Sequence, residues 1–346
     1  MTTLIRACAA ALALFLAAGV GTAQAQTSSS TNAQAQQERS DTQPGNNAPV
    51  WREVRSGNEG YTSLPGREMG VLVQSAGETW RQIRNGPVTF YGGWLLVIAV
   101  LVLAALYFSL GPVKLHDKPT GRMVERFSPV ERWAHWSTAI TFVVMALTGL
   151  IMLFGKHVLL PVLGYTLFAW LSMLAKNLHN FVSPLFAVSV VALILIFVRD
   201  NIPKSGDLAW ILGIPKFFLG KHLPSGRFNG GEKGWFWVGV VGLSLALVVS
   251  GAILLFPNFD QLRSTMQTWS VVHWICAILL VAMSLGHIYV GTIGVEGAYQ
   301  SMREGHVDET WAKEHHSAWY DEQKRGGKSA PGGAMPAGAA QMREKT

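Results

Sequence analysis

Apolar and polar positions in this chain are segregated into blocks. Five apolar runs, Tyr91–Leu110, Ala134–Phe154, Asn177–Val198, Trp235–Phe256 and Trp269–Ile293, contain no Asp, Glu, Lys or Arg. Each is about 20 residues or more, long enough to span a bilayer as a helix. A sixth, shorter run, Ala7–Gly21, follows Arg6 and precedes the small-residue stretch Ala23-Gln24-Ala25. That order is the pattern of a secretory signal peptide over residues 1–25, removed after export. The pattern therefore predicts an all-α, polytopic membrane protein: one span at 91–110, then a four-helix bundle over 111–294. Residues 26–90 form a linker and docking segment, beginning with a Gln-, Ser-, Thr- and Asn-rich stretch that has too few apolar residues to fold alone. Residues 295–346 form a tail whose end is disordered. No internal repeat is apparent.

The joints alternate in charge. Gly111–Trp133 carries Lys114, Lys118, Arg122, Arg126 and Arg132, and Arg199–Gly234 carries six basic residues, whereas Lys156, Lys176 and Arg263 are the basic residues of the other two joints. Basic joints stay on the cytoplasmic side. The mature N-terminus is then expected outside and the C-terminus inside, as the signal peptide also requires, in a bacterial inner membrane. Tryptophans at span edges, Trp94, Trp133, Trp136, Trp235, Trp237 and Trp269, suit the lipid interface. The formal charge of +7 thus needs no nucleic acid. Of two cysteines, Cys8 lies in the signal and Cys276 in a span, so no disulfide framework, no zinc site and no iron–sulfur cluster held by this chain is expected.

Four histidines fall in spans: His135, His179, His273 and His287. An imidazole in a membrane is costly and usually functional. His273 and His287 are 14 positions apart on one helix, about 21 Å along the axis and on nearly the same face. The predicted topology sorts the four into two level pairs, His179 with His273 near the outer surface and His135 with His287 near the inner. Two imidazoles at one depth on facing helices are the axial ligand set of a b-type haem, so two haem b groups are expected, with all four histidines as iron ligands. Both axial positions are then filled, which leaves electron transfer as the chemistry. The alternatives are core histidines bonded within a haem-free anchor, or a proton relay in a transporter; the spans lack the carboxylates a relay normally brings. The other six, His116, His157, His222, His306, His315 and His316, are expected at the surface. Gly149, Ser183, Ala187, Gly239, Gly242 and Gly251 give room for a macrocycle or for close helix packing, and Arg132 suits either a haem propionate or a lipid headgroup. The loop Gly226–Lys233 sits at the inner level. Its Asn229 and glycines, Gly230 among them, offer an amide and backbone donors for a quinone, or simply a turn.

Between about Val124 and Lys324 the chain resembles the γ (cytochrome b) subunit of respiratory formate dehydrogenases. The resemblance rests on ERFSPVERWAHW, NLHNFVSPLF, DNIPKSGDLAWI, GRFNGGEKGWFW, SVVHWICA, LGHIYVG and EGHVDETWAKEHHSAWYDE. It implies a diheme four-helix core and quinone reduction beside the inner haem, with His287 and Asn229 contacting the quinone. It also implies an iron–sulfur β subunit and a molybdenum- or tungsten-containing catalytic α subunit as partners, so that this chain binds no formate itself. Related diheme subunits of nickel–iron hydrogenases share the histidine plan. The signal, linker and first span depart from the compact members of the family.

Overall fold

The computed structural model describes residues 75–325, apart from 258 and 260, and isolated positions between 34 and 56. The expected signal peptide, most of the linker and the end of the tail lie outside the described residues. The chain divides into two compact units, and the architecture here is that of the unit holding Leu64–Gly70 and Ala76–Thr346.

Five of its helices are long and apolar enough to cross a membrane: α1 (Ala76–Leu110), α2 (Pro129–Val158), α3 (Leu160–Phe197), α6 (Gly230–Leu255) and α7 (Arg263–Gly294). All five extend beyond the apolar runs that announce them: α1, α2, α6 and α7 continue into flanking polar sequence, and α3 takes in the further apolar stretch from Leu160 to Ala175. Helix α2 shows this at its start. Ser128 accepts from the Glu131 amide, Glu131 accepts from the Ser128 amide, and Pro129 fills the first turn where no amide donor is needed. Helix α3 begins 17 residues before the expected edge at Asn177 and is broken at Gly164, whose φ of 73° is closed to most side chains. Only Leu159 separates α2 from α3, and Gly155 lets the two approach: a Cβ there would stand 2.7 Å from Phe168.

Helix α1 docks along α7. The Trp80 indole donates to Ser270 Oγ at 2.7 Å, its ring lies 5.6 Å from that of Trp274, and Gly92 leaves space that Ile278 fills. Its outer face, with Phe90, Tyr91, Leu101 and Phe108, is exposed, as lipid contact allows.

The basic joints and the tail close one end of the bundle. Strand β1 (Met123–Glu125) pairs antiparallel with β2 (His306–Asp308). The short helices α8 (Ala298–Glu304) and α9 (Glu309–His315) pack against that pair, and the same joints and tail supply α4 (Ser205–Leu212), α5 (Ile214–Phe218) and α10 (Ser317–Arg325). Val307, Trp311, Ala312, Trp319 and Tyr320 form a small buried core of this cap. A second core, Phe127, Ala134, Leu193, Phe197, Phe236 and Val240, joins the cap to the spans. His315 and His316, expected at the surface, are buried: the tail folds back as a helical cap whose indole-rich face needs covering, and the histidines go in with it. Burial pushes the His316 imidazole down to about 3, so it is neutral and its Nδ1 lies 2.8 Å from Gly226 O, to which it donates.

Candidate functional site

The four in-span histidines come together in two pairs. The rings of His179 (α3) and His273 (α7) have centroids 6.2 Å apart, and those of His135 (α2) and His287 (α7) are also 6.2 Å apart. A metal–imidazole bond is about 2 Å and the nitrogen lies about 1.1 Å from the ring centre, so two imidazoles across one metal ion hold their centroids about 6 Å apart. Both pairs stand at that separation.

The pair at the end away from the cap has a hydroxyl against each imidazole. Thr148 Oγ1 donates to Val144 O at 2.7 Å and Ser250 Oγ to Ala246 O at 2.7 Å. Each hydroxyl has one hydrogen, so its oxygen is left to accept. His179 Nδ1 lies 2.8 Å from Thr148 Oγ1 and His273 Nδ1 lies 2.9 Å from Ser250 Oγ. With the hydroxyl hydrogens on those carbonyls, Nδ1 carries the proton in both rings and Nε2 keeps the lone pair a metal needs. The glycine after each hydroxyl residue lies beside the ring: a Cβ on Gly149 would lie 3.5 Å from His179 Cε1, and one on Gly251 3.4 Å from His273 Cε1, both at ordinary contact distance. Helices α2 and α6 thus use the same device, Thr148-Gly149 and Ser250-Gly251, inside the related stretches TGLIMLF and SGAILLF. That short likeness is the signal that could have revealed both hydroxyls.

The pair near the cap is built differently. The Trp235 ring stacks on His287 at 4.9 Å and 11°. Gly239 makes room for the indole, since a Cβ there would stand 2.5 Å from Trp235 Cζ3. Trp235 opens a π-helical stretch, Trp235–Leu243, a form that collects at functional positions. His287 is exposed, while His135, His179 and His273 are half-buried. His135 Nδ1 is buried with no hydrogen-bond partner, a cost of about 1–3 kcal/mol that a bound group or ordered water would relieve.

The neighbouring loop is held on all sides. Arg126 is buried, donates to Glu232 Oε1 at 2.8 Å and to Arg227 O at 3.2 Å, and lies over the rings of Phe127 and Trp311. Burial holds the Arg126 guanidinium below its ordinary pKa, with Glu232 opposing. Arg227 pairs with Glu131 at 2.8 Å and with Asp200. Asn229 caps the next helix: its Oδ1 accepts from the Glu232 amide at 2.9 Å, and Glu232 returns the bond to the Asn229 amide at 2.8 Å. Gly230 is buried, with no room for a Cβ against Asp207 O. Arg132 donates to Arg303 O at 2.8 Å, which ties α2 to the cap.

A family model described as prokaryotic cytochrome b561 matches residues 126–305, which hold all four histidines. The chain belongs to that family. Cytochromes b carry b-type haem, and both imidazole pairs fit an iron between them. This cytochrome b561 chain is 31% identical over 206 residues to the formate dehydrogenase cytochrome b556(fdo) subunit of Escherichia coli K12, over 58% of this chain and 94% of that relative. It is likewise 31% identical over 212 residues to the nitrate-inducible cytochrome b556(Fdn) subunit of the same strain, at 58% and 92% coverage. A formate dehydrogenase cytochrome b556 subunit of Haemophilus influenzae is 29% identical over 216 residues, at 58% and 84%. The cytochrome b561 match begins at Arg126, so α1 and most of the joint after it are additions to the family core.

Proposed function

We propose that this chain is the membrane cytochrome b subunit of a formate dehydrogenase, holding two b haems between His179 and His273 and between His135 and His287, and passing electrons to a quinone at the cytoplasmic side. The observation that carries the reading is the separation of the two imidazole pairs, each at the span one iron would bridge. The bound haems supply one-electron transfer. The protein supplies fixed ligands: Thr148 and Ser250 orient the outer imidazoles, and Trp235 holds the plane of His287.

The cap bears the basic joints, which supports its placement in the cytoplasm and the mature N-terminus outside. In that orientation an exported catalytic subunit with molybdenum or tungsten and an iron–sulfur subunit would deliver electrons at the His179–His273 end. His287 and Asn229 serve the quinone at the other. His287 is exposed, and because Asn229 commits its oxygen to the cap of α6, its NH₂ is what it offers a quinone carbonyl. Gly230 fixes the loop that carries Asn229.

The test is a reduced-minus-oxidised spectrum with quantified haem. His273→Ala should remove one b-type component and leave the other, and His135→Ala should remove the complementary one. Retention of both components in either variant would overturn the pairing. Asn229→Ala should slow quinone reduction with haem content unchanged.

A further inference from the structure

Outside the spans, three segments distant in sequence bring ligand-type side chains to one point. His116 lies in the joint after α1, His222 in the segment after α5, and Glu314 on α9. Their ligand atoms all lie within 4.8 Å of one another, the one such group of three or more His, Cys, Asp or Glu among the described residues. The Nε2 of His222 faces the Nδ1 of His116, with the two rings edge to face at 88°, and Glu314 Oε2 is 3.3 Å from His222 Nε2.

The carboxylate is oriented in advance. Its Oε1 accepts the Asp117 amide at 2.9 Å and its Oε2 accepts the His116 amide at 3.0 Å. The backbone that presents His116 therefore also aims Glu314, as supporting hydrogen bonds do around metal ligands. Next to this group the His315 ring lies 5.6 Å from that of His222, and its buried Nε2 has no hydrogen-bond partner. Two imidazoles and one carboxylate are a zinc-type donor set with a fourth position left open. Tetrahedral bonds of about 2.1 Å place ligand atoms about 3.4 Å apart, which side-chain rotation reaches from the arrangement present.

We propose that His116, His222 and Glu314 bind one divalent transition-metal ion, zinc by their ligand chemistry, which clips the joint after α1 to the C-terminal cap. Two of the ligands stand outside residues 126–305, one on each side, and His116 comes from the joint that precedes the matched residues. The site fastens the extra helix α1 to the end of the molecule where the tail closes. The proposal does not depend on the haem reading.

The test uses the full-length chain purified in detergent without a polyhistidine tag, stripped with EDTA and dialysed against buffered Zn²⁺. Bound zinc is counted by plasma mass spectrometry beside the haem content. The wild type should hold one more zinc per chain than His116→Ala/Glu314→Gln, with haem content equal, and each single substitution should weaken binding at least tenfold. Equal zinc in wild type and double variant would overturn the site. Because the variant could lose its fold, hydrogen exchange of the wild type is measured as well. Zinc should slow exchange in residues 113–118 and 309–316 together, and no slowing in either segment would equally overturn the proposal.

Discussion

Ser250→Ala tests the outer ligand set at a single hydroxyl. The substitution removes the acceptor for His273 Nδ1–H at 2.9 Å and leaves the helix intact, since Ala is the better helix former. A half-buried N–H without a partner costs about 1–3 kcal/mol. Supporting partners of a metal-bound histidine contribute about 10–100-fold in metal affinity, so a haem held at the proposed His179–His273 pair should become easier to lose. The potential should move as well. An N–H shared with an oxygen makes the imidazole more basic and favours the oxidised iron, so its removal should raise the midpoint potential. If half of the bond discriminates between the redox states, about 0.5–1.5 kcal/mol, the one-electron shift is about 20–65 mV. A spectroelectrochemical titration of the purified chain reads this, with the inner component as internal reference. Ser284→Ala is the control: Ser284 is buried on the same helix but bonds Leu280 O. A negative shift, an equal shift of both components, or the same shift in the control would refute the reasoning.

Other outcomes follow from the packing. Thr148→Val should shift the same haem component as Ser250→Ala and in the same direction, and a shift of the inner component instead would break the assignment of hydroxyls to one pair. Gly239→Ala drives a Cβ to 2.5 Å from the rigid Trp235 ring. It should cost about 1–3 kcal/mol by overpacking and perturb the His287 component, as seen in thermal melts and in that component's band shape. Arg126→Met removes the buried cation from the part-exposed Glu232 and from Arg227 O and should destabilise the cap junction by about 1–3 kcal/mol, measured as faster proteolysis after residue 305. The cap should also loosen in acid. Tyr320 donates to Glu309, and that bond, aided by Lys313 and Arg122, holds the carboxylate below its ordinary range against the opposing effect of burial. Burial and the same bond push Tyr320 up to about 12. The depressed carboxylate contributes stability above its unfolded pKa that is lost as pH falls through its folded value. The raised phenol contributes stability below about pH 10 that is lost as pH rises through about 12. Hydrogen exchange of residues 306–325, corrected for its intrinsic pH dependence, should therefore show full protection from neutral pH to about 10. Protection should fall below about pH 4, and a flat profile in acid would refute the Glu309 assignment.

Much of this architecture was legible in the chain alone. Charge-free apolar runs can satisfy their backbone only as helices across lipid, so span number and order followed from the pattern, and the 14-residue interval on one helix placed two histidines on one stripe. Thr148 and Ser250 did not read as partners of His179 and His273, because a hydroxyl inside an apolar helix ordinarily bonds its own backbone; the likeness of TGLIMLF to SGAILLF marks the two hydroxyls but does not say which ring sits on them. His315 and His316 read as surface residues because their neighbours in sequence are charged; they are buried because Trp311, Trp319 and Tyr320 turn the tail onto the loop around Ser225, 90 residues earlier in the chain. The same holds for His116, His222 and Glu314, which no spacing connects. What the chain determined alone was periodicity and solvation, which are local. Which imidazole meets which, what orients it, and where the tail lies were decided by packing between residues far apart, and only the folded molecule contains those distances.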